Sequence, residues 1–238
     1  MEKIKAVLFD LDGTLLPMDN DVFVKAYFKA LINELAPRGY EPKKLVDSVW
    51  AGTRAMVAND GSQKNEDVYW KTFSDIYGAE ALAEKERLEE FYKTDFTVVR
   101  ESCGFDPAAL QCVKAIKEMG IKLVLATNPV FPAVATRARM RWAGLSEDDF
   151  EFFTSYENST YAKPNPKYYS EILERLGVPP QNALMVGNDV GEDMIASELG
   201  LYVFLTDACL INKVGKDISS YPKGGFSELL EFIKNINS

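Results

Sequence analysis

Short apolar runs and amphipathic stretches divide the chain into three parts. The first apolar run, residues 6–9, is unbroken, which is typical of a strand buried on both faces. From about residue 17 to residue 95 the apolar positions recur at helical spacing and predict four helices. Beyond residue 105, amphipathic helical stretches alternate with short apolar runs. This change of period predicts a helical insertion within an α/β domain.

The last part of the chain predicts regularly alternating elements. Helices are predicted at 106–119, 131–143, 166–176 and 190–199 and near the C-terminus, with strands at 121–126, 151–154, 183–186 and 201–205. Strands that alternate with helices of this length imply right-handed crossovers and a parallel sheet. We therefore predict an α/β fold with a Rossmann-like, doubly wound parallel sheet. Its core comprises residues 1–16 and 96–238, and an all-helical domain comprises residues 17–95.

Two carboxylates follow the first predicted strand. Asp10 and Asp12 are two residues apart, so in an extended chain they point the same way. Ligands of parallel sheets bind at the carboxyl ends of the strands, and a hard cation would relieve the repulsion between the two acids. The Asp-Gly pair at residues 12–13 is also typical of a β-hairpin. The residues after it, however, do not alternate like a returning strand.

The later strands also end in polar residues. Thr127 and Asn128 offer a hydroxyl, an amide and the N–H groups of a helix start to a phosphate, although such residues also commonly begin helices. Lys163 precedes a proline that holds its backbone extended, so its ammonium can be aimed at a fixed point. The alternative is an exposed lysine in a Pro-rich loop. Three acids, Asp189, Glu192 and Asp193, lie within five residues at the start of a predicted helix. Helix capping would explain one of them but not all three.

A parallel sheet would bring these strand ends to one edge. The residues expected in that crevice are Asp10, Asp12, Thr127, Lys163, Asp189 and Asp193. They include a candidate nucleophile, a second carboxyl for proton transfer, a fixed cation and metal ligands. Such a set suits magnesium-assisted phosphoryl transfer through an aspartyl phosphate.

The chain resembles the haloacid dehalogenase superfamily, especially its phosphoglycolate phosphatase-like members. The residues that carry the resemblance, in the superfamily's order, are Asp10-Leu11-Asp12-Gly13-Thr14, Thr127, Lys163-Pro164, and Asp189 with Asp193. The helical insertion resembles the C1-type cap of that superfamily. The resemblance implies that Asp10 attacks phosphorus and that Asp12 exchanges protons with the leaving alcohol and the attacking water. It also implies that Thr127 and Lys163 hold the phosphoryl oxygens.

The resemblance further implies a Mg²⁺ cofactor. Its ligands would be Asp10, Asp189 and the backbone carbonyl of Asp12, with Asp193 bound directly or through water. Many relatives have Gly-Asp where this chain has glycine followed by Asn188, so Asn188 remains an alternative ligand. The other candidate substrate contacts near the strand ends are Gly13, Thr14 and Asn128. In the insertion, Arg54, Asn59 and Lys64 are candidates for binding a distal anionic group of the substrate. The alternative is that these insertion residues face solvent. The insertion's aromatic residues are expected in its core: Trp50, Tyr69, Trp70 and Phe73.

Composition narrows the function further. A net charge of −9 argues against nucleic acid as a partner, and the absence of histidine removes the commonest general base. Three cysteines match no zinc or redox spacing and are expected to be structural. No apolar run approaches the roughly twenty residues of a membrane span, and no signal peptide precedes the first strand, so we expect a cytoplasmic protein. The expected partner is a small phosphorylated metabolite, with no obligate protein partner.

Three enzymatic alternatives share this kind of site. A dehalogenase needs no acid at the position of Asp12, and a phosphonate-cleaving enzyme needs an insertion lysine that cannot be identified here. A phosphosugar mutase would return the phosphoryl group to its substrate. A non-catalytic binding protein of this fold is the alternative from another class, and the intact pair Asp10 and Asp12 argues against it. We expect a Mg²⁺-dependent phosphomonoester hydrolase.

Overall fold

A parallel sheet forms the centre of the core. The computed structural model describes residues 2–238, and within them six strands pair in the order β3-β2-β1-β4-β5-β6. The strands are β1 (Ala6–Phe9), β2 (Lys122–Leu125), β3 (Phe152–Phe153), β4 (Ala183–Gly187), β5 (Tyr202–Thr206) and β6 (Lys223–Gly224). All neighbouring pairs are parallel. The predicted doubly wound α/β fold is therefore confirmed.

The strand order places a crevice beside β1. Chain order reverses between β1 and its neighbours β2 and β4, and such a reversal opens a ligand-binding crevice outside the carboxyl ends of the strands. The helices are α1 (Asn20–Leu35), α2 (Pro42–Val57), α3 (Asn65–Tyr77), α4 (Glu84–Lys93), α5 (Pro107–Glu118), α6 (Ala133–Trp142), α7 (Pro166–Leu176) and α8 (Phe226–Asn237). No helix within residues 2–238 has both the length and the apolar character that crossing a membrane requires.

Some elements differ from the prediction. The helix predicted at 190–199 is a 3₁₀ segment, Met194–Leu199, because the Asp189 side chain first closes a turn over residues 191 and 192. In the insertion, a 3₁₀ segment, Ala79–Ala83, likewise precedes α4. Strand β6 was not predicted, since two residues leave no apolar pattern to detect.

The helical insertion leaves and rejoins the core at neighbouring points. Met18 and Cys103 form an isolated antiparallel bridge, and the Gly104 N–H donates to the Pro17 carbonyl at 2.7 Å. The 3₁₀ segment Asp95–Ser102 packs against α1. We therefore propose that the second connection lies at residues 103–104, a few residues beyond the predicted boundary at 95.

The start of α3 fastens the insertion to the core. The backbone N–H of Asn65 donates to the Ser159 carbonyl, and that of Glu66 donates to the Tyr156 carbonyl, both at 2.9 Å. The buried Asn65 side chain adds donor contacts to the carbonyls of Pro129 and Tyr161 at 3.3 and 3.1 Å. The insertion is thus held over the carboxyl ends of β2 and β3.

Candidate active site

A buried lysine joins two of the predicted acids. Lys163, whose side chain is 1 % exposed, donates to Asp10 Oδ1 at 2.9 Å and to Asp193 Oδ1 at 2.6 Å. Burial alone would lower the pKa of Lys163, but Asp10 and Asp193 raise it well above its ordinary value. The ammonium is therefore charged and fixed, which excludes the alternative of an exposed loop lysine.

Asp193 orients this lysine through a fully occupied carboxylate. Its Oδ2 accepts the backbone N–H of Asp189 at 3.0 Å, while its Oδ1 accepts from Lys163. Burial raises the pKa of Asp193, and the charge of Lys163 opposes that rise. A Cβ at Gly187 would collide with this carboxylate, so only glycine fits at the end of β4. Both oxygens of Asp193 are engaged within the protein.

Thr14 and Asn188 surround the second oxygen of Asp10. The Thr14 hydroxyl lies 3.1 Å from both Asp10 Oδ2 and Asn188 Oδ1. Its single hydrogen satisfies one acceptor at a time, so two oxygen acceptors converge on this point. Asn188 Nδ2 donates to the Cys209 carbonyl at 2.7 Å, which leaves the amide oxygen facing Thr14. Gly13, with φ +86°, lies against Asn188 where a Cβ would collide.

Asp189 uses its side chain differently from its neighbour Asn188. Its Oδ1 accepts the N–H groups of Gly191 at 2.7 Å and Glu192 at 3.0 Å. The residue lines the same cavity as Asp10, but its Oδ1 closes its own turn. The Asn188 amide oxygen, in contrast, contacts Thr14, which also contacts Asp10.

Asp12 is paired with an arginine that the sequence analysis missed. Arg139, 1 % exposed, donates to Asp12 Oδ2, and its Nη2 lies 3.3 Å from the Thr136 hydroxyl. Asp12 Oδ1 is buried without a partner. Burial raises the pKa of Asp12 to about 6; Arg139 counteracts that rise, and Asp10 adds to it. A carboxyl with such a pKa can serve as acid and base near neutral pH.

A helical-wheel signal could have identified Arg139. The positions of Ala135, Ala138, Arg139 and Trp142 are related by three, four and seven residues, so they share one face of α6. All four are buried. An arginine on an apolar face needs a buried partner, and here that partner is Asp12.

Thr127 and Asn128 lie at the end of β2, on the cavity wall. The Thr127 carbonyl accepts from the Thr154 hydroxyl at 2.7 Å and from the Tyr168 hydroxyl at 2.9 Å. Asn128 Nδ2 donates to Glu192 at 3.0 Å, and its Oδ1 is buried without a partner. The expected free N–H at the helix start is not free, because α6 begins only at residue 133, whose N–H donates to Glu157.

A cavity of about 870 Å³ extends from Asp10 into the insertion. Exposed Arg54 lines it, whereas the Asn59 side chain is bound within its own turn by the Gln63 carbonyl and Asn65. The expectation that all four aromatic residues lie in the core is wrong for Trp50. This side chain is 39 % exposed and lines the cavity, because it lies beside rather than on the buried face of α2.

The arrangement fits magnesium. Within residues 2–238, no three Asp, Glu, His or Cys side chains converge closely enough to form a metal site by themselves. Mg²⁺, however, is usually held by one or two carboxylates together with waters and substrate phosphate. Asp10 Oδ2 and Asn188 Oδ1 are hard oxygen donors that each lie 3.1 Å from the Thr14 hydroxyl, so both are near one point. We call the group around this point the catalytic end: Asp10, Asp12, Lys163, Asn188 and Asp193.

Comparison with known proteins places the chain among hydrolases. The family model described as haloacid dehalogenase-like hydrolase matches residues 4–198. The chain is 25% identical over 227 residues to glyceraldehyde 3-phosphate phosphatase of Methanothermobacter thermautotrophicus, covering 91% of this chain and 94% of that protein. It is 27% identical over 203 residues to phosphoglycolate phosphatase of Neisseria gonorrhoeae, covering 83% and 77%. It is also 23% identical over 222 residues to Protein SUPPRESSOR OF QUENCHING 1, chloroplastic, of Arabidopsis thaliana, covering 90% of this chain but only 19% of that longer protein.

Solved structures agree in fold. A HAD phosphatase from Thermococcus onnurineus has a TM-score of 0.60 at 21% identity, covering 97% of this chain and 98% of that one. A 2-haloacid dehalogenase from Pseudomonas syringae also has a TM-score of 0.60, at 22% identity and coverages of 98% and 99%. The family model spans most of the chain and all four strand-end motifs. The chain therefore belongs to the haloacid dehalogenase-like hydrolases.

Proposed function

We propose that the protein is a Mg²⁺-dependent phosphomonoester hydrolase that works through an aspartyl phosphate on Asp10. The observation that carries this proposal is the buried ion-pair network of Asp10, Lys163 and Asp193, with a second carboxyl, Asp12, two residues after Asp10. The names of the two phosphatase relatives support the same chemistry. The substrate would be a phosphate ester small enough for the cavity.

Each side chain has a separate role in this proposal. The Asp10 carboxylate attacks phosphorus, and the leaving alcohol takes the proton of Asp12. The Asp12 carboxylate then removes a proton from the water that attacks the phosphoryl group, and Asp10 is released. Lys163 and the Thr127 hydroxyl hold the phosphoryl oxygens as their charge shifts. Asp193 and Thr14 position Lys163 and Asp10, while Gly13 and Asn128 border the bound phosphate.

The metal ligands follow from the direction of the side chains. We propose that Asp10, the Asn188 amide oxygen and the Asp12 backbone carbonyl hold Mg²⁺, in place of the predicted Asp189. When bound, Mg²⁺ offsets the negative charge that gathers between Asp10 and the phosphoryl group. Asp193 then acts through Lys163. We further propose that the helical insertion is a cap, which excludes water from the site while the substrate is bound.

The rival reactions receive less support. A dehalogenase and a phosphatase match the fold equally well, so the fold does not discriminate between them. Asp12 does, because release of an alcohol needs a proton donor, whereas release of a halide does not. A mutase would share every residue named above, and product analysis with a phosphorylated sugar separates it from a hydrolase.

The proposal is tested with p-nitrophenyl phosphate and a panel of phosphorylated metabolites, each assayed with Mg²⁺ and with a chelator. Wild-type protein should release phosphate only with Mg²⁺. Asp10→Asn should lose activity by at least about a thousandfold, because it removes the nucleophile. Asp75→Asn is the matched control, since Asp75 is exposed on α3 and bonded only to Lys71. If folded Asp10→Asn retains more than a few per cent of Mg²⁺-dependent activity, the mechanism is refuted.

A further inference from the structure

The cavity that reaches Asp10 has the size of a site for a bulky ligand. Its volume of about 870 Å³ lies near the upper end of pockets that enclose drug-sized molecules, roughly 300–1,000 Å³. The catalytic end occupies only one part of its wall. Most of the remaining wall comes from the insertion and from the loop after β2. The side chains on this second part of the wall therefore determine which substrates the cavity can bind.

Apolar side chains dominate the wall contributed by the insertion. We call Phe28 of α1 with Trp50 and Val57 of α2 the insert face. Trp50 and Val57 are 39 % and 37 % exposed, and the ring centroids of Phe28 and Trp50 lie 5.6 Å apart. Phe131, after β2, lines the same cavity and is only partly buried. Binding of an apolar ligand to such a wall is favourable, because it removes exposed aromatic and branched side chains from water.

The charges along this wall disfavour a second anionic group. Lys85 lies 2.6 Å from Glu66 in an ion pair, and Arg137 is bound by Glu147, also at 2.6 Å. Among residues 2–238, the cavity cations without an ion pair are Arg54 and Lys213, and both are exposed. Six carboxylates outside the catalytic end line the cavity as well: Asp21, Glu66, Glu89, Glu157, Asp189 and Glu192. A substrate carboxylate or second phosphate would meet more negative than positive charge here.

We propose that the substrate is the phosphate monoester of a bulky, uncharged alcohol with an apolar ring, which packs on the insert face while its phosphate meets Asp10. This inference rests on the proposed function and specifies its substrate class. It separates the chain from the two phosphatase relatives described above, whose names refer to short polar phosphate esters. Trp50 is then a specificity-determining residue that contacts the alcohol part of the substrate.

The test measures binding and turnover separately. Calorimetry with 1-naphthyl phosphate, 1-naphthol, glyceraldehyde 3-phosphate and phosphoglycolate gives affinities that do not depend on catalysis. We expect 1-naphthyl phosphate to bind at least tenfold more tightly than phosphoglycolate, and Trp50→Ala to weaken both naphthyl ligands at least fivefold. Phosphoglycolate binding should be unchanged by Trp50→Ala. Phe105→Ala is the matched control, because Phe105 is 59 % exposed but does not line the cavity.

Kinetics distinguish the failure of this inference from the failure of the proposed function. Trp50→Ala should raise KM for 1-naphthyl phosphate at least fivefold and leave kcat nearly unchanged. Tighter binding of the short polar esters, or equal effects of Trp50→Ala and Phe105→Ala, would overturn the substrate class even if both kinds of ester are hydrolysed. If no ester is hydrolysed while 1-naphthol binding still depends on Trp50, the hydrolase proposal fails but the apolar site stands.

Discussion

The catalytic end and the insert face meet in one cavity but are built in opposite ways. At the catalytic end, Lys163 and Asp193 are buried and bonded to each other, and Asp10 is held by Lys163 and Thr14. On the insert face, the Trp50 and Val57 side chains are uncharged and more than a third exposed. The sheet thus fixes the groups for chemistry in advance, whereas the insertion leaves its side chains to be covered by a ligand.

This difference predicts two kinds of variant. A change at the catalytic end should affect every substrate alike, because the charges there act on the phosphoryl group that all substrates share. A change on the insert face should affect only substrates whose alcohol part reaches it. The three predictions below test whether the catalytic end behaves as one unit, beginning with the largest expected effect.

Replacing Lys163 should produce a large loss in both activity and stability. Lys163→Met should lower kcat with every substrate by about a hundred- to a thousandfold, because it removes a fixed cation beside the phosphoryl group. Two buried carboxylates would also lose their partner, so the free energy of unfolding without divalent cations should fall by roughly 3–5 kcal/mol. Urea unfolding and initial rates measure the two effects.

The double variant Lys163→Met with Asp193→Asn is the control for this prediction. Neutralising Asp193 removes one of the uncompensated charges, so part of the lost stability should return while activity stays low. If the double variant regained activity, Lys163 would act only by supporting the fold. If the single variant altered the preference between polar and apolar esters, the separation of the two regions would be wrong.

The second prediction compares Asn188 with Asp189. Asn188→Ala should raise the Mg²⁺ concentration for half-maximal activity by about tenfold or more, because it removes the proposed ligand oxygen beside Thr14. Asp189→Asn keeps the side-chain oxygen that closes the turn over residues 191 and 192 and changes only the charge, so its effect should be smaller. Titration of activity with Mg²⁺ measures both. A larger effect of Asp189→Asn than of Asn188→Ala would indicate that Asp189 rather than Asn188 binds the metal.

The third and smallest prediction concerns pH. Asp12 must start protonated to act as an acid, and its pKa is about 6, so kcat/KM should fall as the pH rises above about 6. Because Arg139 lowers the pKa of Asp12, Arg139→Met should move this limb to higher pH by about half a unit to one unit. Arg139→Lys keeps the charge and should move it less.

The variant comparison is needed because a substrate phosphate also titrates near pH 6. That titration is the same for wild-type and variant protein, so a difference between their profiles reports on Asp12. A limb that stays in place or moves to lower pH in Arg139→Met would show that Asp12 is not the acid. Substrate preference should remain unchanged in both variants.

The strand-end residues could be predicted from sequence because a buried parallel strand has a readable pattern and its carboxyl end has a known position. Asp10, Asp12 and Thr127 lie within three residues of such a run, whereas Lys163 lies ten residues after β3. The choice between Asn188 and Asp189 could not be predicted in the same way. It depends on a turn in which the Asn188 oxygen contacts Thr14, whereas the Asp189 oxygen accepts the backbone N–H groups of residues 191 and 192.

Arg139 and Trp50 show a second limit of prediction from sequence. Apolar periodicity identifies the face of a helix that avoids water, but it does not tell a face that packs on other helices from one that borders a cavity. Trp50 lies next to the buried positions Val49 and Gly52 of α2 and still faces the cavity. Arg139 is the reverse case, a charged side chain on a buried face whose partner lies 127 residues away in the chain.

The paired connections at Pro17–Met18 and Cys103–Gly104 have an evolutionary consequence. Because the chain departs from the sheet and returns to it at adjacent positions, an insertion of another length can span the same gap, and the entropic cost of a longer loop grows slowly. Descendants of one ancestral hydrolase can therefore exchange this module without rebuilding the strands that carry Asp10 and Lys163. New substrates then become accessible through changes that leave the proposed catalytic groups untouched.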